Sequence, residues 1–340
     1  MSSQLPRTMT EMIIREPGGP EVLVAKDRPV PTPAPDEILV RVEAAGINRP
    51  DILQRLGAYP MPAGVNPTPG LEIAGTVAAV GDSITHFNVG DRVCALTNGG
   101  GYAEYCVVPA TQALPIPDAF TAVQVAALPE TFFTVWVNLF QMGHLQRDES
   151  VLIHGGTSGI GSTALMLCKA LGIKAYATVG GKDKFPFVEQ LGAIPIDHTV
   201  EDFVESVHHH SKGAGVDVVL DIIGGRYFNR NLAVLKKDGR LITIGFMGGA
   251  HAERADLSLL VLKRIHVTGS TMRARSNEEK AAIAKDLREK VWPLLDSGAC
   301  PAPHIHKVFP LREAATAHKE MESGKHVGKL VLEVSTAPSG

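Results

Sequence analysis

Cysteine is scarce and scattered. The four thiols, Cys94, Cys106, Cys168 and Cys300, include no CxxC pair, which argues against a zinc knuckle or a redox dithiol. Reduced thiols and a cytoplasmic setting are the expectation, because a chain of 340 residues needs no disulfide for stability. A hairpin bringing Cys94 and Cys106 together would leave one disulfide as the alternative. Charge of one sign is lacking too: 33 Lys and Arg against 36 Asp and Glu give a formal −3, so there is no basic field for a nucleic-acid backbone and no nucleic-acid partner is expected. No apolar run of bilayer-crossing length stands out and mean hydropathy is only +0.07, so no membrane partner is expected either. The opening MSSQLPRT has neither an apolar core nor a small-residue cleavage pattern, and reads as a frayed tail rather than a targeting segment. Internal repeats and low-complexity tracts are absent.

A single hydrophobic core rarely fills 340 residues, so two domains are expected. Proline divides the chain: 12 of 23 stand in the first 70 residues, at 6, 17, 20, 29, 31, 33, 35, 50, 60, 62, 67 and 69, which disfavours long helices there. Between them run short alternating or β-branched segments: EILVRVEAA around Ile38, EIAGTVAAVG around Ile73, DRVCAL around Val93 and AEYCVV around Tyr105. They predict a compact β-rich domain over residues 1–133.

From residue 134 strands alternate with helices. VLIHGG (151–156), IKAYATVG (173–180), a short IPI after LGA (191–193), VDVVLDII (216–223), RLITIGF (240–246) and HVTGS (266–270) read as six strands. The intervening helices include one to Leu171 and one to Gln190. This predicts an α/β fold, a doubly wound parallel six-stranded Rossmann sheet over residues 134–275. From 276 the chain turns helical and then ends in HIHKVFP and GKLVLEV. These strand-like runs need a sheet, and the β-rich domain is the expected host, so 276–340 is assigned to it.

The sequence VLIHGGTSGIGSTALMLCKALG sets Gly155, Gly156, Gly159 and Gly161, with Ser158 and Ile160 among them, between a buried strand and a helix. Glycines there let the backbone turn tightly and approach a pyrophosphate at the helix N-terminus. The spacing is GGxxGxG rather than GxGxxG, but it follows a strand, opens a helix and heads further βα units. In an NAD site an acidic residue ends the second strand and takes the ribose hydroxyls. Here that strand ends in Val179, Gly180 and Gly181, then Lys182, Asp183 and Lys184. Two lysines where a 2′-phosphate would project favour NADPH. Two alternatives remain: the lysines only solvate a helix start, or Asp183 serves NADH.

The segments GGPEVL, AAGINRPDILQRLGAYP, PGLEIAGTVAAVG, GDRVCAL, GGGYAEY, ALPETFFTVW, HGGTSGIG, KGAGVDVVLDIIGG, DGRLITIGFMGG and VGKLVLEV, in this order, span nearly the whole chain. In them the chain resembles the zinc-free quinone oxidoreductase branch of the medium-chain dehydrogenase/reductase superfamily, nearest the p53-inducible quinone oxidoreductase type. The resemblance implies a GroES-like β-rich domain and NADPH-dependent reduction of a quinone without metal. The zinc alcohol dehydrogenases of the superfamily have a cysteine and a histidine where this chain has Asn48 and Leu71, and nothing here corresponds to their four-cysteine lobe.

The resemblance also implies roles. Asn48 and Asp51 would lie beside the nicotinamide, with Tyr59 in the cleft, either donating a proton to the acceptor or only walling the pocket. Thr134 would contact the carboxamide. Ser158 matches a serine proposed for catalysis in close relatives, although a phosphate or helix-cap bond is its ordinary role. Phe246, Met247 and Gly248, off the fifth strand, should line the nicotinamide. Arg275 and Lys329 are weaker candidates for cofactor phosphates. Arg92 and Glu72 read as a buried structural polar pair, and His208 to His210 as a helix end rather than a metal site. Two other readings compete: reduction of activated alkenes such as 2-alkenals and enones, and a catalytically idle NADPH-binding protein with a structural role. The sixth strand leaves a sheet edge, and the family's solution implies a homodimer through residues 250–270.

Overall fold

A computed structural model describes residues 5–59, 61 and 64–334. The leading part of the expected frayed tail, residues 1–4, lies outside the described residues. The chain divides into two compact units, one of residues 1–133, 273–298 and 302–340, the other of residues 134–272 and 299–301.

In the first unit the first strand begins at Thr8, inside the segment read as tail. β1 (Thr8–Ile14) pairs antiparallel with β2 (Leu23–Pro29). The interior polar residue Glu11 breaks the apolar alternation of TMTEMII that would have marked a strand; it is buried and paired with Arg28. The main sheet takes β3 (Glu37–Ile47), β4 (Glu72–Val80), β5 (Arg92–Leu96), β6 (Tyr105–Pro109) and β7 (Ala113–Pro115). β3 is its centre, antiparallel to both β4 and β6. Its Ile38, Val40, Val42 and Ile47 pack with Ile73, Val93 and Tyr102 in one core.

The second unit carries β8 (Ser150–His154), β9 (Lys174–Val179), β10 (Ile194–Asp197), β11 (Val216–Asp221), β12 (Leu235–Thr243) and β13 (His266–Gly269). Their order is β10-β9-β8-β11-β12-β13, with every pair parallel. This is the doubly wound Rossmann order, whose switch point between β8 and β11 places ligands off the carboxyl ends of the strands. β8 is buried along its whole length, as expected of a strand covered by helices on both faces.

The tail then rejoins the first unit. The helix Asn277–Lys290 is followed by β14 (Ile305–Pro310) and β15 (Lys329–Glu333), a parallel pair with the helix Ala314–Glu322 between them. β15 closes antiparallel onto β3. The segment Ala122–Met142 does reach bilayer-crossing length, 21 residues at mean hydropathy 1.2, contrary to the sequence reading. It is apolar because 83% of that window is buried inside the protein. All four cysteines are buried and free, with no Cys94–Cys106 bond, and burial pushes the Cys106 and Cys168 thiols up to about 12.

Candidate functional site

The glycine turn is built by strand, helix and two backbone constraints. Gly155 sits at φ +73, which a β-carbon disfavours. A Cβ on Gly161 would lie 2.1 Å from Gly155 O, so the first helical turn presses directly on the loop. Ser158 caps the helix Gly159–Leu171, its Oγ accepting the Gly161 N–H at 3.0 Å. That is its ordinary role. The Gly155 N–H donates to Thr178 Oγ1 (3.2 Å), the Gly156 N–H to Thr178 O (2.9 Å) and the Ser158 N–H to Gly155 O (2.9 Å). Among the described residues the amides of Thr157, Gly159 and Ile160 keep no acceptor, and these remain for an anion at the helix start.

Behind the turn stands His154, fully buried at the end of β8. Burial pushes its ring down to about 4, so it is neutral at pH 7. Its Nε2 lies 2.8 Å from Asn231 Oδ1, which only accepts, so Nε2 carries the proton and Nδ1 accepts from the Thr178 hydroxyl at 3.1 Å. With its proton committed to the histidine, Thr178 Oγ1 is left to accept from Gly155. His154 and Thr178 thus set the turn through hydrogen-bond polarity, and sequence reading did not single them out.

At the end of β9, Gly180 and Gly181 lead into a 3₁₀ turn, Lys182–Lys184. No acidic residue of β9 itself stands at its end; Asp197, opposite Val179 on β10, is engaged by Thr199 and the Gly181 N–H, and Asp183 is exposed. Beyond β12, Phe246 and Met247 are 62% and 66% exposed, while the N–H groups of Met247 and Gly248 donate to Ile222 O and Ile223 O at 3.0 and 2.7 Å. Thr134 is buried, yet its hydroxyl has no partner, an arrangement that costs free energy unless a ligand satisfies it. An orphaned hydroxyl, three unclaimed amides and a turn without room for side chains fit a dinucleotide.

The first unit holds a buried polar cluster. Glu72, opposite Leu96 on β5, accepts from Lys329 Nζ (2.6 Å) and Asn48 Nδ2 (2.8 Å) with one oxygen and from the Glu130 N–H (2.9 Å) with the other. Lys329 also donates to Asn48 Oδ1 (2.6 Å) and Ile47 O (3.3 Å). Its three protons are therefore engaged beside a carboxylate, where the sequence reading has it as a weaker candidate for a cofactor phosphate. The partner expected for Glu72, Arg92, is exposed at the start of β5 instead. Asp51 lies deeper than its neighbours in the motif. At 0% exposure it is enclosed by the protein; it accepts the Asn48 and Gly70 N–H groups, each at 2.9 Å, and lies 3.4 Å from the Tyr102 hydroxyl. Burial outweighs those bonds and raises it to about 6. Glu130, buried near Glu72, is raised to about 7, mainly by burial and then by that carboxylate.

Tyr59 is partly exposed, and its hydroxyl bonds to nothing among the described residues. Burial raises its phenol above the usual range, and the nearest opposing influence is Arg273, whose guanidinium carbon lies 5.2 Å from the ring centroid. Arg273 is the site residue that sequence reading missed. Arg275, two residues on, was named instead, and it pairs with Glu279 at 3.1 Å. Nothing in TMRARS separates the two: they stand two positions apart, which in an extended segment puts them on one face, and the turn that parts them at 272–275 shows only in the structure. Among the described residues no group of three or more His, Cys, Asp or Glu side chains is placed to hold a metal. Leu71 offers no donor atom, and those of Asn48 are already taken by Glu72 and Lys329.

A GroES-like unit and a Rossmann unit define a dehydrogenase/reductase architecture. The chain matches the families described as alcohol dehydrogenase GroES-like domain over residues 34–118 and zinc-binding dehydrogenase over residues 191–332. It is 31% identical to the quinone oxidoreductase of Rattus norvegicus, over 96% of this chain and 98% of that one. The Escherichia coli quinone oxidoreductase complexed with NADPH superposes with a TM-score of 0.82 at 31% identity, covering 96% of this chain and 99% of that one. CurK enoyl reductase does so at 0.85 and 27%, covering 97% and 100%. The chain belongs to the quinone oxidoreductase type of the medium-chain dehydrogenase/reductase superfamily, and it is an oxidoreductase of that superfamily.

Proposed function

We propose that this chain reduces quinones with NADPH. The cofactor part rests on the glycine turn and on the turn after β9, where Lys182 and Lys184 flank an exposed Asp183 and no residue of β9 itself is acidic at its end. The quinone part is carried by one arrangement, a partly exposed Tyr59 whose hydroxyl has no partner among the described residues and whose ring lies under a fixed guanidinium, together with 31% identity to the rat quinone oxidoreductase. Bound NADPH would supply a hydride. Thr157, Gly159 and Ile160 amides would hold its pyrophosphate, Lys182 and Lys184 its 2′-phosphate, and the Thr134 hydroxyl its carboxamide. Tyr59 polarises the acceptor carbonyl and gives its phenolic proton to the oxygen that gains charge. Hydride and proton together convert quinone to hydroquinone, and water reprotonates the phenolate.

A second reading, reduction of the carbon–carbon bond of an enal or enone, is supported by the likeness to CurK enoyl reductase. The same tyrosine proton would then go to the enolate. NADPH oxidation measured with ortho- and para-quinones alongside enals and enones separates the two. Turnover of quinones is expected. Turnover of enones alone overturns the first reading, and no turnover of either returns the chain to an idle binding protein.

For assembly, we propose a homodimer through β13. This edge strand exposes Val267, and the helix Leu257–Lys263 exposes Val261 and Leu262 by 76% and 74%. Such a patch on a bare edge calls for cover. Solution scattering at micromolar concentration is expected to give twice the mass of the chain, and a monomer would contradict it. The buried, free thiols suit a reducing cytoplasm.

A further inference from the structure

We propose that Arg273 is a positioning residue for Tyr59: it fixes the ring and favours the phenolate formed when the proton leaves. This deepens the function proposed above and rests on it. Arg273 is 5% exposed, and its donors fix it against the loops that flank Tyr59. Nη2 donates to Gln54 Oε1 (2.8 Å) and Asn98 O (3.0 Å), Nε to Asn98 O (3.2 Å), and Nη1 meets Met61 Sδ at 3.1 Å. Lys280, wholly buried, secures the same place from behind, with Nζ donating to Asn98 Oδ1 (2.6 Å) and Arg273 O (3.2 Å).

Every hydrogen-bond acceptor named for Arg273 is neutral. The bonds to Gln54 and Asn98 would suffice for a structural clamp, and a neutral amide could make them. Burying a full positive charge without a carboxylate bonded to it is expensive, and a second cation, Lys280, adds to the cost. What the charge faces, with no hydrogen bond to any of them, are the Asp51 and Glu130 carboxyls and one phenol, Tyr59, whose hydroxyl has no partner among the described residues. A cation beside a phenol favours its ionised form, against the burial that opposes it and the Glu130 and Asp51 carboxyls that face the same ring. The guanidinium over the ring, 5.2 Å from its centroid, also restrains the ring.

The test needs neither cofactor nor substrate. Phenolate absorbance is followed through an alkaline titration of the unliganded protein, and subtracting the Tyr59→Phe curve isolates Tyr59. In Arg273→Gln its midpoint is expected to rise by about one pH unit or more. Arg273→Lys, which keeps the charge without the planar fork, should fall between Arg273→Gln and the wild type. Should the glutamine variant not fold, the lysine variant alone decides, with an expected rise of about half a unit. With quinone and NADPH, kcat of Arg273→Gln should fall about tenfold or more while KM for NADPH stays within about twofold. A midpoint that does not move, or a lysine variant shifted as far as the glutamine one, overturns the proposal. Wild-type protein inactive on every acceptor would refute the function reading, whereas the titration bears on Arg273 alone.

Discussion

Lys329→Met is expected to destabilise the protein by about 3–5 kcal/mol, the range found when one partner of a buried ion pair is removed. Lys329 Nζ and Glu72 Oε1 are 2.6 Å apart, with side chains 3% and 0% exposed, so the variant leaves Glu72 as an uncompensated buried charge. Asn48 Oδ1 and Ile47 O lose a donor at the same time. Urea unfolding of the variant and the wild type at pH 7 measures the effect. A loss below about 1 kcal/mol, typical of exposed pairs, would show that Lys329 does not hold this cluster together.

Tyr59→Phe is expected to lower kcat by about 100-fold, within the range for losing a positioned proton donor, with KM for NADPH nearly unchanged. Stability should shift by less than about 0.5 kcal/mol, because the hydroxyl removed has no partner within the described residues. Steady-state kinetics with a para-quinone and a thermal melt make the comparison. Turnover equal to wild type would reduce Tyr59 to a wall of the pocket.

The Rossmann unit was legible because its signals are local. A buried strand, a glycine turn and a small-residue helix occupy consecutive residues, and β8 to β13 follow in the predicted order. β1 was not legible: its alternation is broken by Glu11, whose burial depends on Arg28 on the neighbouring strand. The site in the first unit was only half legible. Tyr59 and Asn48 could be singled out from their motifs, but the partners were set by tertiary pairing. Glu72 meets Lys329, 257 positions away, rather than Arg92, because β15 closes onto β3. Gln54 likewise meets Arg273 across 219 positions. No periodicity in the sequence reports such pairs. Asp51 shows the same divide: its type and spacing are visible in the sequence, whereas its complete burial and its bonds with Gly70 and Tyr102 are not.

The glycine turn and the lysines after β9 stand or fall on cofactor choice, measured by fluorescence titration of the wild type and Lys184→Ala with NADPH and NADH. The wild type is expected to bind NADPH at least about tenfold more tightly than NADH, a difference of about 1.4 kcal/mol, and Lys184→Ala should lose most of that preference while its NADH affinity stays unchanged. Equal affinities in the wild type, or equal weakening of both cofactors in the variant, would contradict a 2′-phosphate site at the end of β9.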